Sequence, residues 1–154
     1  AQVTIKTMRL KDATLNDAQD IFEWRNDISS RNMSFNSHNV SFDEHLAWFA
    51  KELKSDDCVL LIGLIGDKKL GVCRFDINVE EDSAEVSINL NPEFREKGLS
   101  KQFLRTSISS FLKSHRLILT ARIKNINTAS TRIFESSGFG FIYEEKDVRY
   151  YRLS

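Results

Sequence analysis

NPEFREKGLSKQF, Asn91 to Phe103, holds the only proline of the chain and one of its six glycines. Before it, AEVSINL (84–90) alternates apolar and polar like a strand. After it, Leu99, Phe103, Leu104, Ile108, Phe111 and Leu112 recur at helical spacing. Pro92 cannot donate to a ladder, so the strand stops there and the chain turns through Arg95, Glu96, Lys97 and Gly98 into a helix. The first N–H groups of that helix and its macrodipole favour an anion, and Gly98 lets the backbone approach it. Arg95, Lys97 and Lys101 add positive charge, which makes the stretch a candidate pyrophosphate cradle. On its own, a glycine in a basic strand-to-helix turn is more often ordinary turn chemistry.

The pattern extends in both directions. VTIKTMRL (3–10) reads as a strand, and DAQDIFEWRND as a helix led by Thr14 as N-cap, with Ala18, Ile21, Phe22 and Arg25 on one stripe. Ser41 and Glu44 stand in capping-box spacing before a second helix that buries Phe42, Leu46, Phe49 and Leu53. CVLLIGLIG, LGVCRFDINV and AEVSINL, separated by GDKK and EEDS, predict an antiparallel meander. LILTARI is a further strand, Thr128 to Ser137 a helix closed by Gly138, and FGFIYEE and VRYYRLS two final strands. The fold class is therefore α+β.

With 154 residues and no linker or repeat, the chain is expected to form a single domain spanning 1–154. Its 22 basic and 22 acidic residues balance, so no overall field marks a nucleic-acid or membrane-surface partner. No apolar run approaches the ~20 residues a membrane helix needs, and no apolar signal core opens the sequence, so a cytoplasmic location is expected. Cys58 and Cys73 sit inside apolar runs and read as buried hydrophobes, and three scattered histidines give no metal site.

Two motifs together point to a family. Arg95-x-x-Gly98-x-Ser100 after a strand resembles the acyl-CoA pyrophosphate loop of the GNAT superfamily of N-acetyltransferases, and NINTASTRIFESSGFGF resembles its second signature through Asn127, Ser130, Phe134, Glu135, Gly138 and Phe139. The resemblance covers essentially the whole chain. It implies a mixed, mostly antiparallel sheet of about seven strands flanked by about four helices, and acetyl-CoA as co-substrate. It implies cofactor contacts from Leu90, Arg95, Lys97, Gly98, Ser100, Lys101, Asn127, Ser130 and Phe134, with Leu90 offering backbone groups to the pantetheine arm and thioester. Asn127 also reads as a helix N-cap and Phe134 as a core residue. Two departures stand out: Ser100 replaces a glycine or alanine, and Phe134 stands where many members carry a tyrosine that protonates the leaving thiolate, which phenylalanine cannot do.

Acetylating an amine requires a group to take its proton. Period two puts Glu85, Ser87 and Asn89 on one face of AEVSINL, so Glu85 is the first candidate base, followed by Asp76 and by His45. For the acceptor, the segment from Ile21 to Phe49 resembles the GNAT branch that N-acetylates UDP-linked 4-amino-4,6-dideoxy sugars in pseudaminic-type acid biosynthesis, through Trp24-Arg25-Asn26, Ser34-Phe35 and His45. It implies Trp24, Arg25, Phe35, His45 and Asn89 as acceptor contacts, an amino-sugar nucleotide as small-molecule partner, and leaves room for a homodimer. The alternatives are a ribosomal-protein-type N-terminal acetyltransferase and a non-catalytic acyl-CoA-binding module. A plainer reading makes Trp24 a core anchor and pairs Arg25 with Asp20 or Glu23 on the surface.

Overall fold

The computed structural model describes residues 7–35, 41–95 and 97–153. Alternating apolar segments pair into one seven-stranded sheet in the order β1-β2-β3-β4-β5-β7-β6. The strands are β1 (Met8–Asp12), β2 (Cys58–Ile65), β3 (Lys68–Asn78), β4 (Ser83–Leu90), β5 (Ile118–Lys124), β6 (Gly140–Glu145) and β7 (Val148–Leu153). β2, β3 and β4 form the expected meander, and β4 with β5 is the one parallel pair. That pair is joined by a crossover helix, α4 (Ser100–Ser114), as a parallel connection requires.

The helices divide between the two faces. α1 (Ala18–Asn26) and α3 (Phe42–Leu53) lie on one, where Ala18, Ile21, Trp24 and Phe49 pack on Leu60, Ile62 and Val72. On the other, Phe103, Leu104, Ile108 and Phe111 of α4, with Phe134 of α5 (Thr128–Ser136), cover Leu61, Cys73, Phe75, Val86, Leu119, Ile123 and Tyr151. A short helix, α2 (Ile28–Met33), which the periodicity did not announce, joins the first face.

Local chemistry sets the boundaries. The Ser41 hydroxyl caps α3 by accepting from the Glu44 N–H at 3.2 Å, and α5 ends at Gly138 with φ of +102°, the left-handed form that glycine adopts without strain. Several expectations need correction. The N-terminal strand is Met8–Asp12, and Val3 to Lys6 lie outside the described residues. Thr14 leads a 3-10 turn, Leu15–Asp17, before α1 begins. Within α1 the buried residues are Ala18, Ile21 and Trp24, and Arg25 is only half-buried. Leu46, expected inside, is 36% exposed, and Leu112, the last of the helical apolar repeat, is 39% exposed, while His45 and Ser107 are fully buried at 0%.

Candidate functional site

β4 and β5 pair only at Ser83–Ile118, Ala84–Leu119 and Glu85–Thr120. Beyond Glu85 they separate, β4 running on to Leu90 and β5 to Lys124. The Asn91 N–H donates to Leu70 O at 2.9 Å on the β3 side. By two-residue alternation, the N–H and C=O groups of Ile88 and Leu90 point away from β3 into the gap. Because the strands are parallel, α4 and α5 both start at the open end of that gap, one after each strand.

The loop after β4 makes a 3-10 turn at Pro92–Phe94 and reaches Gly98, whose φ is +73°. A Cβ there would meet no heavy atom within 4 Å, so the surface above it is open. α4 begins at Ser100 with Leu99 as its N-cap and no side chain bonded to its first N–H groups. Beside this helix start lies a shallow depression of about 430 Å³ lined by Gly98, Lys101, Gln102, Arg105 and Thr106. Lys97 and Lys101 are exposed and form no ion pair among the described residues, Lys97 resting 5.8 Å from the Phe94 ring. An uncapped helix start, an open glycine and unpaired lysines suit the pyrophosphate of a CoA thioester.

Arg95, expected to add charge to this cradle, points elsewhere. Its guanidinium reaches Asp27 Oδ2 and Ser30 Oγ, each at 2.5 Å, and Leu90 O at 3.4 Å. On the α5 side, Asn127 Oδ1 accepts from the Ser130 N–H at 3.2 Å, which realises its helix-capping role. Phe134 is 2% exposed and meets Phe139 edge to face at 5.0 Å, so it packs as a core residue.

On the opposite face stand the candidates for chemistry. Glu85, the last β4 residue paired with β5, marks the fork of the gap. Both its oxygens are taken by Arg122, which raises the Arg122 pKa above its ordinary value, first through that hydrogen bond. Asp76, directly across from Glu85 on β3, is held by Arg74 Nε at 2.9 Å, and Arg74 also reaches Glu52 at 3.1 Å. Asn89 accepts from Ser30 Oγ at 3.0 Å. Phe35 is 47% exposed and lies over Arg122, 4.7 Å from ring centre to guanidinium.

His45 must be withdrawn as base and as acceptor contact. It is 0% exposed, stacked on Phe49 and edged by Phe22, and its Nε2–H donates to Ala18 O at 3.0 Å. Burial, and to a lesser degree the nearby Arg25 charge, pushes its pKa below the usual value against the opposing Ala18 hydrogen bond, and the ring is fixed in the core. Trp24, expected as an acceptor contact or as a core anchor, is 5% exposed and lies in the core. A second exposed aromatic, besides Phe35, is Trp48, 36% exposed, with the guanidinium groups of Arg25 and Arg74 each 5.2 Å from its ring. Among the described residues Arg25 forms no ion pair with Asp20 or Glu23; Asp20 accepts from Lys69 and Glu23 from Gln19. Sequence reading missed Trp48, Arg74 and Arg122 as site residues. Period two alone could have placed Arg74 beside Asp76, on the face shared with Glu85.

Among the described residues no group of three or more His, Cys, Asp or Glu could hold a metal, and no helix is long and apolar enough to cross a membrane. A family model described as an acetyltransferase (GNAT) domain matches residues 7–140. Among solved structures, spermidine N-acetyltransferase from Vibrio cholerae in complex with CoA and spermine is similar at a TM-score of 0.82 and 19% identity, covering 94% of this chain and 92% of that one. A Salmonella typhimurium protein solved with its cofactor acetyl-CoA gives 0.77 at 21%, covering 96% and 93%. A domain from Methanocaldococcus jannaschii gives 0.81 at 19%, covering 96% and 98%. No curated protein sequence matches the chain.

Proposed function

As the chain belongs to the GNAT family and is an acetyl-CoA-dependent N-acetyltransferase, we propose that its acceptor is the 4-amino group of a UDP-linked 4-amino-4,6-dideoxy sugar. The observation that carries this reading is the state of Arg25. It is half-buried, lies over Trp48, and has no acidic partner among the described residues. Burial, and then the charge of Arg74, lower its pKa from the ordinary value, so an anion is the partner this guanidinium lacks. Beside it, Trp48 offers an exposed aromatic surface for a base.

The V. cholerae enzyme solved with spermine makes a polyamine the rival acceptor. A polycation needs carboxylates with no cation already on them. On this face Asp76, Glu85 and Asp27 are each held by an arginine, which weighs against that rival.

Each part of the site then has a task. Acetyl-CoA supplies an activated acetyl group when bound. The α4 N-terminus with Lys97 and Lys101 holds its diphosphate, and the gap-facing N–H groups of Ile88 and Leu90 are available to the thioester oxygen, an interaction worth about 2.7–4 kcal/mol per donor in measured cases. Glu85, fixed by Arg122, keeps lone pairs with which to accept a proton from the incoming amine, directly or through a water.

Thiol release from acetyl-CoA, measured across the UDP-linked amino sugar, the free amino sugar, spermidine and N-terminal peptides, tests the reading. The nucleotide sugar should turn over best, because remote binding energy positions the amine. Arg25→Ala should raise its KM at least tenfold while changing that of the free sugar less than threefold. Preferential turnover of spermidine or peptides would refute the assignment.

A further inference from the structure

α2 spans only six residues, too few to hold a helix by its own hydrogen bonds. Its described anchors are polar. Ser30 Oγ donates to Asn89 Oδ1 at 3.0 Å on β4, Lys124 Nζ donates to Asn32 O at 3.3 Å, and Arg95 grips the helix start. The last anchor is unusual in its reach. Arg95 belongs to the donor loop, yet its guanidinium binds Asp27 Oδ2 at the α1–α2 junction, Ser30 Oγ in α2 and Leu90 O at the end of β4. The Arg95 and Asp27 side chains are 28% and 31% exposed, so this pair is screened less than one on open surface.

We propose that Arg95 is a positioning residue that couples donor binding to the acceptor side of the site. The inference rests on the reading of the Gly98 loop as the CoA diphosphate cradle. When an anion fixes that loop, the arginine loses freedom with it, and through Asp27 and Ser30 so does α2. The segment leaving α2 carries Phe35 over Arg122, and Arg122 holds Glu85. One run of contacts thus links the donor loop to the candidate base at the fork of β4 and β5. Ordering already achieved by the first ligand is ordering the second need not supply, so donor and acceptor should bind with positive cooperativity. By linkage the effect is reciprocal.

The test requires no acceptor. Backbone hydrogen–deuterium exchange is followed with and without CoA in the wild type, Asp27→Asn and Ser30→Ala. In the wild type, CoA should slow exchange at least threefold both in residues 97–105 and in residues 27–35. In Asp27→Asn, protection of 97–105 should persist with a CoA Kd within threefold of wild type, while the protection of 27–35 disappears. Ser30→Ala, which leaves the ion pair intact and guards against a folding defect in the first variant, should retain about half of that protection. CoA protection confined to 97–105 in the wild type, or undiminished at 27–35 in Asp27→Asn, overturns the coupling alone. A wild type in which CoA protects neither segment overturns the cradle as well.

Discussion

Beneath α4 and α5 the sheet shows Leu61, Cys73, Phe75, Val86, Leu119 and Ile123, and the Phe75 and Phe111 rings stack 4.1 Å apart. Beneath α1 to α3, β3, β4 and β5 show Arg74, Asp76, Glu85, Asn89 and Arg122, joined by ion pairs and hydrogen bonds. A single strand serves both. On β4, Val86 is buried in the core, while Glu85 and Asn89 belong to the polar face. Parity along the strand therefore separates residues that hold the fold from residues placed for chemistry, and the two classes should respond differently to mutation.

The sharpest contrast pairs Phe75→Ala with Trp48→Ala. Phe75 is 0% exposed, so its truncation should cost about 3–5 kcal/mol in urea unfolding. Trp48, at 36% exposed, should cost less than about 1.5 kcal/mol, yet its loss should raise the acceptor KM several-fold. Equal destabilisation by the two would abolish the distinction between the faces.

A smaller effect should come from Asp17, fully buried at the edge of the polar layer and bound by Lys11 and Lys69, each at 2.6 Å. Burial raises its pKa, but the lysine hydrogen bonds and the Thr14 N–H outweigh that and hold it below the ordinary 3.8. A carboxylate with a lowered folded pKa contributes stability that is complete above the unfolded value and is lost as pH falls through the folded one. Asp17→Asn should therefore cost about 1.5–3 kcal/mol at neutral pH. It should also flatten the decline in stability below about pH 4, as read by urea midpoints across pH. An unchanged acid limb would show that the polar layer does not depend on this charge.

Phe134→Tyr should do least. The ring is enclosed on the apolar face, so the added hydroxyl should leave turnover within about twofold and cost at most ~1.5 kcal/mol. A large gain in rate would mean that position 134 reaches the reacting atoms after all.

The elements that local chemistry defines were legible in the sequence. The switch from period two to helical spacing across Pro92, the Ser41 cap and Gly138 each marked a boundary that the fold honours. What escaped reading depended on helical phase or on distance along the chain. The helical stripe through Ala18, Ile21, Phe22 and Arg25 left Trp24 open between core anchor and acceptor contact, and the fold buries it, while Trp48 on α3 is exposed. His45 stands among Phe42, Trp48 and Phe49 of its own helix, which already allowed a half-buried histidine, but its full enclosure depends on Phe22 and Ala18 from another helix. Arg95 looked like part of an anion cradle, since nothing local reveals a carboxylate 68 residues away.

The chain's two tryptophans, Trp24 on α1 and Trp48 on α3, both lie in the same helical layer. Intrinsic emission therefore senses that layer and is nearly blind to α4, α5 and the strands beneath them, whereas far-ultraviolet dichroism averages over every element. Trp24, enclosed, should emit at shorter wavelength than Trp48, which sits in partial contact with water and two guanidinium groups. Superimposable urea curves from the two signals would show that both layers melt as one cooperative unit, and an earlier fluorescence transition would show the layer of α1 and α3 detaching first.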